Sequence, residues 1–528
     1  MANAHLFQAT WQDLGKRLDL FLAENLPHLS RSKIKADILA SCCQIAGEVI
    51  TKPDFKLTGS EQISFEPTIQ STSLTAEEGQ VKIVAQDQDL AVIDKEPGLT
   101  VHPCPSCPEQ TLIQRLLGYF PSLKTMDGLR PGLVHRLDKD TSGLIVLALN
   151  EETRLALTSA FAEHLVTKTY LALVLGEPEE QGSCSEPLGR HPTQKIKMSV
   201  LPLNRGGKDA LTFWEKLWQA PESPVALLKV NIKTGRTHQI RVHLAHLNYP
   251  ILGDQLYGGQ AAKLAPRQML HATKLEFTHP KTKEELKFSA PPPNDFRQTA
   301  LHYAHETLQV VITGNPGSGK SLLTTMAKDL GYPTFDADQT VQELYKPAGL
   351  IVDWLRQMGK TNCLDGETIK RDNLWPTLNQ DPVFKRDLEG VVHKLVYASL
   401  QEFWKKANQD RKIITVAEVP LWFETGWPGP SFLATICVTC PKEIRFARLA
   451  ETRNWSTAKI ATIEGWQWSE EQKAAKATLS IANIGSKEDL ELKASQLFAK
   501  LNAQAKAHNE ALAQELLTLL GVPESPSV

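Results

Sequence analysis

Residues 314–321 read GNPGSGKS, and nothing else in this chain restricts the fold so tightly. The pattern is G-x-x-x-x-G-K-S. The run QVVIT precedes it, and SLLTTMAKDL, with apolar residues at helical spacing, comes after it. Strand, glycine-rich turn and helix in that order make a P-loop. Successive amides at the helix N-terminus then point at one spot, where the helix dipole favours an anion. Gly314 opens the turn, and the amides of Gly317, Ser318, Gly319 and Lys320 are expected to cradle phosphates. The Lys320 ammonium reaches the β- and γ-phosphates and the Ser321 hydroxyl binds Mg²⁺. ATP and Mg²⁺ are therefore the expected cofactors of this segment. Its surroundings agree: LQVVITG, PTFDAD, KIITVAEVPL and FLATICVTC alternate with helices, the signature of a parallel α/β sheet. A helical tail over residues 488–520 closes this domain, expected at 308–520, and residues 522–528 read as a disordered end.

A chain of 528 residues is too long for one core and fits three or so domains. Residues 14–66 form the first expected domain, small and α+β. LDLFLAENL and SRSKIKADILA show helical spacing, separated by Pro27 and with Ser30 as cap. The short runs EVITKPDF and EQISFEP come next, with turns at Gly47 and Gly59. Arg31 and Lys35 share one helix face and Lys33 lies on another; a solvated helix has the same look. Residues 70–80 are Ser/Thr/Glu-rich and read as a linker. Residues 81–296 form the second domain. Its many short β-type runs, with a few helices such as TLIQRLLGYF and RLALTSAFAEHL, predict a mixed, mainly antiparallel sheet with peripheral helices. The domain closes at APPPNDF, where three prolines forbid regular structure.

The net charge of -2 rules out a global polycation, so a nucleic-acid site must be a local basic patch. No apolar stretch approaches the ~18–20 residues of a membrane span, and the start lacks the pattern of a signal peptide. A cytoplasmic protein is expected. Eight cysteines in this length make no disulfide framework. The pairs Cys104/Cys107 and Cys437/Cys440 lack the second half that a zinc site wants, and read as structural thiols.

In the second domain, RPGLVHRLDKDTSGLIVLALN places Asp138 between Arg136 and Lys139, ahead of an apolar strand. A carboxylate among cations stays ionised and is available as a nucleophile. About 100 residues on, TGRTHQIRVHLAHLNYPILGDQLYG alternates basic and apolar positions, with Arg236, His238, Arg241 and His243. That period predicts a strand. A surface strand with scattered ion pairs fits the same residues, and composition leaves both readings open.

The stretch HRLDKDTSGL at 135–144 resembles the signature of the RluA family of pseudouridine synthases. KEPGLTVHP (95–103), KTYLALV (168–174), GRTHQIRVH (235–243), ILGDQLYG (251–258) and MLHA (269–272) match in family order. The resemblance spans about 215 residues. It implies isomerisation of uridines in RNA to pseudouridine without a cofactor. It also implies that Asp138 is the essential aspartate and that Arg241 pairs with it. By the same resemblance, Tyr170 is expected to pack on the target base with a part in proton transfer, and Arg136 to fill the gap left by a flipped nucleotide. LSRSKIK at 29–35 resembles the alpha-L (S4-type) RNA-binding domain that precedes many such synthases, although of its usual turn only Gly47 remains. Arg31 and Lys35 then become phosphate contacts, and ribosomal RNA the expected partner.

In the third domain, PTFDAD supplies Asp336 and Asp338 at a strand end, and AEVPLWFE ends another strand. RFARLAETRNWS and WQWSEEQKAAK supply Arg445, Arg448, Arg453, Lys473 and Lys476, as a lid over triphosphate would. Together with the P-loop, these resemble dephospho-CoA kinase over about 180 residues. That family phosphorylates the ribose 3′-hydroxyl of dephospho-CoA from ATP, with Asp336 as the candidate base here. Asn315–Pro316 replaces the family's Gly-Ile, Ala477–Thr478 its Ala-Asp, and His393–Lys394 its His-Pro. The leading expectation is a bifunctional fusion. The alternatives are a synthase joined to a kinase-like domain that binds nucleotide without making coenzyme A, and a front half that only binds RNA. The presence of Asp138, Tyr170 and Arg241 together argues against the last.

Overall fold

The computed structural model describes residues 4–26, 29, 31–67, 74–105, 107–126, 130–428 and 433–522. The expected break at Pro27, the Ser30 cap, the Lys33 side chain, the 70–73 part of the linker and the end from 523 lie outside them. The chain divides into two units. One takes residues up to Gln80 with His102–Gly132, and the other takes Val81–Val101 with everything from Leu133.

In the first unit, β1 (His5–Gln8), β2 (Cys43–Ile45), β3 (Glu48–Val49) and β4 (Gln62–Phe65) form an antiparallel sheet in the order β1-β4-β2-β3. Helices α1 (Leu18–Asn25) and α2 (Arg31–Leu39) supply Leu18, Phe21, Leu22, Ile34 and Ile38 to a core shared with Ile63 and Phe65. The sheet includes β1, upstream of residue 14, so the fold of this region starts before the expected boundary. Helix α3 (Leu112–Tyr119) starts at a capping box between Thr111 and Gln114.

The second unit holds two large sheets and two strand pairs. The larger runs β5 (Lys82–Gln86), β6 (Leu90–Lys95), β7 (Ser142–Ala148), β14 (Leu270–Thr278), β8 (Thr167–Leu175), β13 (Val225–Ile232), β12 (Thr212–Gln219), β9 (Gln181–Cys184), with β15 (Glu285–Ser289) also on β14. Every neighbouring pair is antiparallel except β7 with β14, as the mixed, mainly antiparallel expectation requires. The strands β10 (Leu188–Arg190) and β11 (Met198–Val200) pair apart. Helix α4 (Glu151–Ala162) is capped by Asn150.

The alternating stretch around Arg241 is not a strand. It is helix α5 (Gln239–His246). Six consecutive residues from Gln239 to Leu244 are buried, so apolar Ile240, Val242 and Leu244 and polar Arg241 and His243 all face protein. A helix buried all round has no polar stripe to show its 3.6-residue period. Only the apparent alternation remains to be read.

Helix α6 (Asn294–Tyr303) starts directly after the three prolines and leads into β16 (Leu308–Thr313). That strand is central to a parallel sheet in the order β17 (Thr334–Asp336), β20 (Ile414–Glu418), β16, β21 (Leu433–Thr439), β22 (Leu479–Ala482). Val310 and Ile312 share one core with α7 (Lys320–Asp329) and with Leu490, Ala494, Phe498, Leu501 and Ala505 of the long α16 (Lys487–Leu519). Val311 faces a second core with α8 (Ala337–Leu344), α9 (Leu350–Gln357), α10 (Arg371–Gln380) and α11 (Pro382–Gln409). Helices on both faces explain the unbroken apolar run. A short hairpin, β18 (Leu364–Asp365) with β19 (Thr368–Ile369), and helices α12 (Trp422–Thr425), α13 (Lys442–Arg453), α14 (Thr457–Glu464) and α15 (Glu470–Lys476) complete the domain.

Candidate active sites

Asp138 lies in the connection that enters β7, and its side chain is 18% exposed. Arg241 reaches it from α5, with Nη1 donating to Asp138 Oδ2 at 2.8 Å. The same guanidinium presents its other edge to Asp254, Nε to Oδ2 at 2.7 Å and Nη2 to Oδ1 at 2.9 Å. Asp254 is fully buried and also accepts the Leu256 and Tyr257 amides. Burial opposes the Arg241 charge, but the two carboxylates outweigh it and raise its pKa. For Asp254, burial is likewise outweighed, by Arg241 and the two amides, and its carboxyl is held below the usual range. A planar fork with five donors suits this two-sided task, which a lysine could not perform.

Four further groups lie around Asp138 and Arg241. Tyr170, on β8 opposite Val230 and Ala272, is buried. Burial and the Asp138 charge push its hydroxyl upward, so it stays protonated. The His238 Nε2 stands 3.8 Å from Asp138 Oδ2, and its Nδ1 is 2.8 Å from the Tyr257 hydroxyl. Burial holds His238 below its ordinary pKa, although Asp138 pulls the other way. The Tyr257 ring lies against the Arg241 guanidinium, 5.2 Å from its centroid. Arg136 is exposed and close enough to bear on His238 electrostatically. The structure thus brings Asp138, Tyr170 and Arg241 together. Asp254 and Tyr257 are site residues that sequence reasoning misses, although both lie in the ILGDQLYG stretch. His135 of the signature belongs to the interior: its Nε2 accepts the Val146 amide at 2.9 Å and its ring stacks on Phe161.

In the first unit, Arg31 and Lys35 turn toward one buried carboxylate, Asp19, at 3.0 and 3.5 Å, and Arg17 joins them at 2.9 Å. Three cations on one anion leave a half-exposed basic cluster.

The phosphate loop leads from β16 into α7. Gly314, Gly317 and Gly319 all have positive φ, which glycine adopts without strain. Lys320 Nζ donates to the Asn315 carbonyl at 3.2 Å, folded back over the loop. Burial lowers its pKa, while Glu418 and Asp338 support its charge. Ser321 Oγ donates to Glu418 Oε1 at 2.9 Å, and Glu418 Oε2 is buried without a hydrogen-bond partner among the described residues. Asn483 Nδ2 clamps the Ser318 carbonyl at 2.7 Å, and Asn315 Nδ2 donates to the Trp468 carbonyl at 3.2 Å.

The paired aspartates differ. Asp336 is the N-cap of α8, accepting the Gln339 amide at 3.0 Å. Asp338 stands exposed in the first turn. Crowding by protein on its inner side and the Asp336 charge raise its pKa against the pull of Lys320. Of the expected lid cations, Arg445 and Lys473 are interior residues. Arg445 binds Glu464 and the Cys440 and Pro316 carbonyls. Lys473 binds Glu424 at 3.0 Å and the Pro420 carbonyl at 2.7 Å. Arg453 and Lys476 are exposed beside Trp455 and Trp468. Cys437 and Cys440 are buried, whereas Cys104 and Cys107 are partly exposed. Among the described residues no helix is long and apolar enough to cross a membrane.

The profile of the RNA pseudouridylate synthase family matches residues 89–246, and that of dephospho-CoA kinase matches 308–489. The ribosomal large subunit pseudouridine synthase D of Vibrio parahaemolyticus is 38% identical over 296 residues, covering 53% of this chain and 89% of that protein. The chain belongs to the RNA pseudouridylate synthase family, fused to a dephospho-CoA kinase domain. The Escherichia coli synthase of the same name is 36% identical, with the same coverage. Among solved structures, human RNA pseudouridylate synthase domain containing 1 is 31% identical, covering 41% of this chain and 86% of its own, with a TM-score of 0.34. The dephospho-CoA kinase of Campylobacter jejuni is 21% identical, covering 37% of this chain and 98% of its own, with a TM-score of 0.30.

Proposed function

We propose that the front of this synthase–kinase fusion converts uridine to pseudouridine in large-subunit ribosomal RNA, with Asp138 as nucleophile. The carrying observation is the Asp138–Arg241–Asp254 chain of charges. The isomerisation breaks the N1–C1′ bond, forms C5–C1′, releases the C5 proton and returns one to N1. No oxidant or reductant is needed. Arg241 holds the Asp138 carboxylate in a fixed direction. Tyr170 offers a protonated hydroxyl and a ring face beside the base. Arg136, exposed near the site, takes the place of the flipped nucleotide. Residues 14–66, extended by β1, serve as an S4-type RNA-binding domain through Arg31 and Lys35. Residues 81–296 are the catalytic domain. With RNA labelled by tritium at uridine C5, Asp138→Asn should release none while still binding RNA. Release at the wild-type rate would remove the assignment.

For residues 308–520 we propose phosphorylation of dephospho-CoA by ATP. Lys320 and the amides from Gly317 onward hold the phosphates. Ser321 Oγ and the Glu418 carboxylate present hard oxygen donors, a set that fits Mg²⁺. Bound there, Mg²⁺ neutralises phosphate charge. The base is better assigned to Asp338 than to Asp336, because Asp336 is engaged as a helix cap while Asp338 is exposed near Lys320. Incubation with ATP, Mg²⁺ and dephospho-CoA should give coenzyme A. Asp338→Asn should cost ~10²–10⁴-fold in rate with ATP binding kept. A larger loss in Asp336→Asn would return the role to Asp336, and no product from the parent chain would favour a nucleotide-binding domain without that activity.

A further inference from the structure

The position of Asp138 depends on the backbone of residues 138–141, since the side chain has only the Cα of a short connection to stand on. Two carbonyls of that connection are bound by buried cations from elsewhere. Lys95 Nζ donates to the Lys139 carbonyl at 2.9 Å, and also to those of Glu96 and Leu99. Burial pulls Lys95 down to about 7, yet three carbonyl acceptors call for three N–H groups, which only the ammonium has. Arg267, just ahead of β14, donates from Nη1 to the Asp140 carbonyl at 2.9 Å and to its neighbour Gln268 at 2.9 Å. Gln268 in turn donates to Thr141 Oγ1 at 3.0 Å.

The other edge of the Arg267 guanidinium is taken up entirely by Asp295. Nε donates to Oδ2 at 2.6 Å and Nη2 to Oδ1 at 2.9 Å. A bidentate pair fixes the plane of the fork. Once that plane is set, the two N–H directions of Nη1 are fixed, and they meet the carbonyls of Asp140 and Gln268. Burial alone would raise Asp295, but Arg267 outweighs it and holds the carboxyl below its ordinary range. Asp295 belongs to the first turn of α6, the helix that leads into β16 and so toward the phosphate loop.

We propose that Arg267, aimed by Asp295, is a positioning residue that fixes the backbone behind Asp138, so that the synthase site depends on the helix leading into the kinase domain. The proposal rests on the reading of Asp138 as nucleophile. Arg267 is buried and its hydrogen bonds go to Asp295, Asp140 and Gln268 within the protein, so its loss should act on the chemical rate and not on affinity. A misplacement of about 1 Å at a reacting group can cost ~10²-fold.

Single-turnover tritium release, with full-length protein in excess over C5-labelled large-subunit ribosomal RNA, separates the two quantities. Arg267→Lys keeps the charge but cannot grip carboxylate and carbonyl as a fork. It should lower the maximal rate by about 10–100-fold and leave the half-saturating concentration near that of the wild type. Asp295→Ala should behave like Arg267→Lys, and Asp295→Glu should recover most of the rate. An inactive Asp138→Asn beside a fully active Arg267→Lys overturns the positioning proposal alone. Activity retained in Asp138→Asn overturns the nucleophile reading instead. Should Arg267→Lys fail to fold, the Asp295 variants decide: Glu well above Ala supports the proposal, and equal rates refute it.

Discussion

Replacing Asp254 by Asn changes one atom, yet it reverses the sense of one hydrogen bond at the centre of the synthase site. Oδ1 of Asp254 accepts three donors: Arg241 Nη2 and the amides of Leu256 and Tyr257. Among the described residues, Oδ2 accepts only Arg241 Nε, at 2.7 Å. An asparagine keeps its oxygen where three donors converge, so its NH₂ must face the Nε–H. One charge-assisted bond becomes a donor–donor contact, and Arg241 loses its larger counter-charge in a fully buried place. Breaking a buried pair from one side costs about 3–5 kcal/mol. At roughly 2–4 °C per kcal/mol for a domain of this size, the melting of the synthase part should fall by roughly 6–20 °C. Below that temperature, Arg241 has one firm partner in place of two, and the Asp138 carboxylate loses its fixed direction. Tritium release should drop about 100-fold while coenzyme A formation is unchanged. Calorimetry and the release assay on the same preparation check both. A melting shift within about 2 °C together with a normal release rate would refute the claim that Asp254 anchors the site.

Gly319→Ala should cripple the phosphate loop, because φ is +100° and the new Cβ would lie 2.2 Å from Asn483 Nδ2. A left-handed conformation costs ~1–2 kcal/mol for an L-residue, so ATP affinity should fall about 5–30-fold, and an unchanged titration would contradict this. His135 has a pKa lowered to about 3 by burial, well under that of the unfolded chain. Between about pH 6.5 and 3 the unfolded chain takes up a proton that the folded one refuses, so stability falls with pH by up to ~1.4 kcal/mol per unit. Urea melts of His135→Gln, which keeps an acceptor for the Val146 amide, should show a shallower acid slope; parallel slopes would remove His135 as the cause. The double variant Arg31→Ala, Lys35→Ala should lower the slope of log affinity for RNA against log salt by ~1.4–1.8, the value for two phosphate contacts. A slope equal to that of the parent would assign these cations to Asp19 alone.

Legibility in the sequence depends on where each feature keeps its information. The parallel sheet of the kinase part is legible, since strands buried on both faces read as unbroken apolar runs. Helix α5 is not, because Arg241 and His243 are as buried as Ile240 and Val242. Arg445 and Lys473 mislead for a related reason. Charged side chains are rarely buried unless paired, and their partners Glu464 and Glu424 lie 19 and 49 residues away. The ground for preferring Asp338 as the proposed base is present in the sequence, however. A strand ending in Asp336, with Gln339 three residues on, is an N-cap pattern, and the cap engages one oxygen of the Asp336 carboxylate.

The two sites therefore tolerate error differently. The glycine-rich loop is one continuous stretch, and its geometry travels with residues 314–321 wherever the sheet carries them. The synthase site is built from side chains on four separate stretches, and it holds only while the sheet keeps register. Tyr170 sits opposite Val230 on one side and Ala272 on the other, beside a register shift in β14 between Ala272 and Lys274. One residue inserted into β8 ahead of Tyr170 would turn its ring to the opposite face of the sheet. The shift would also disturb the bonds of Leu173 and Leu175 to Leu252 and Pro250, just ahead of Asp254, and uridine conversion should cease. The same insertion leaves the kinase sheet untouched, so coenzyme A formation should continue.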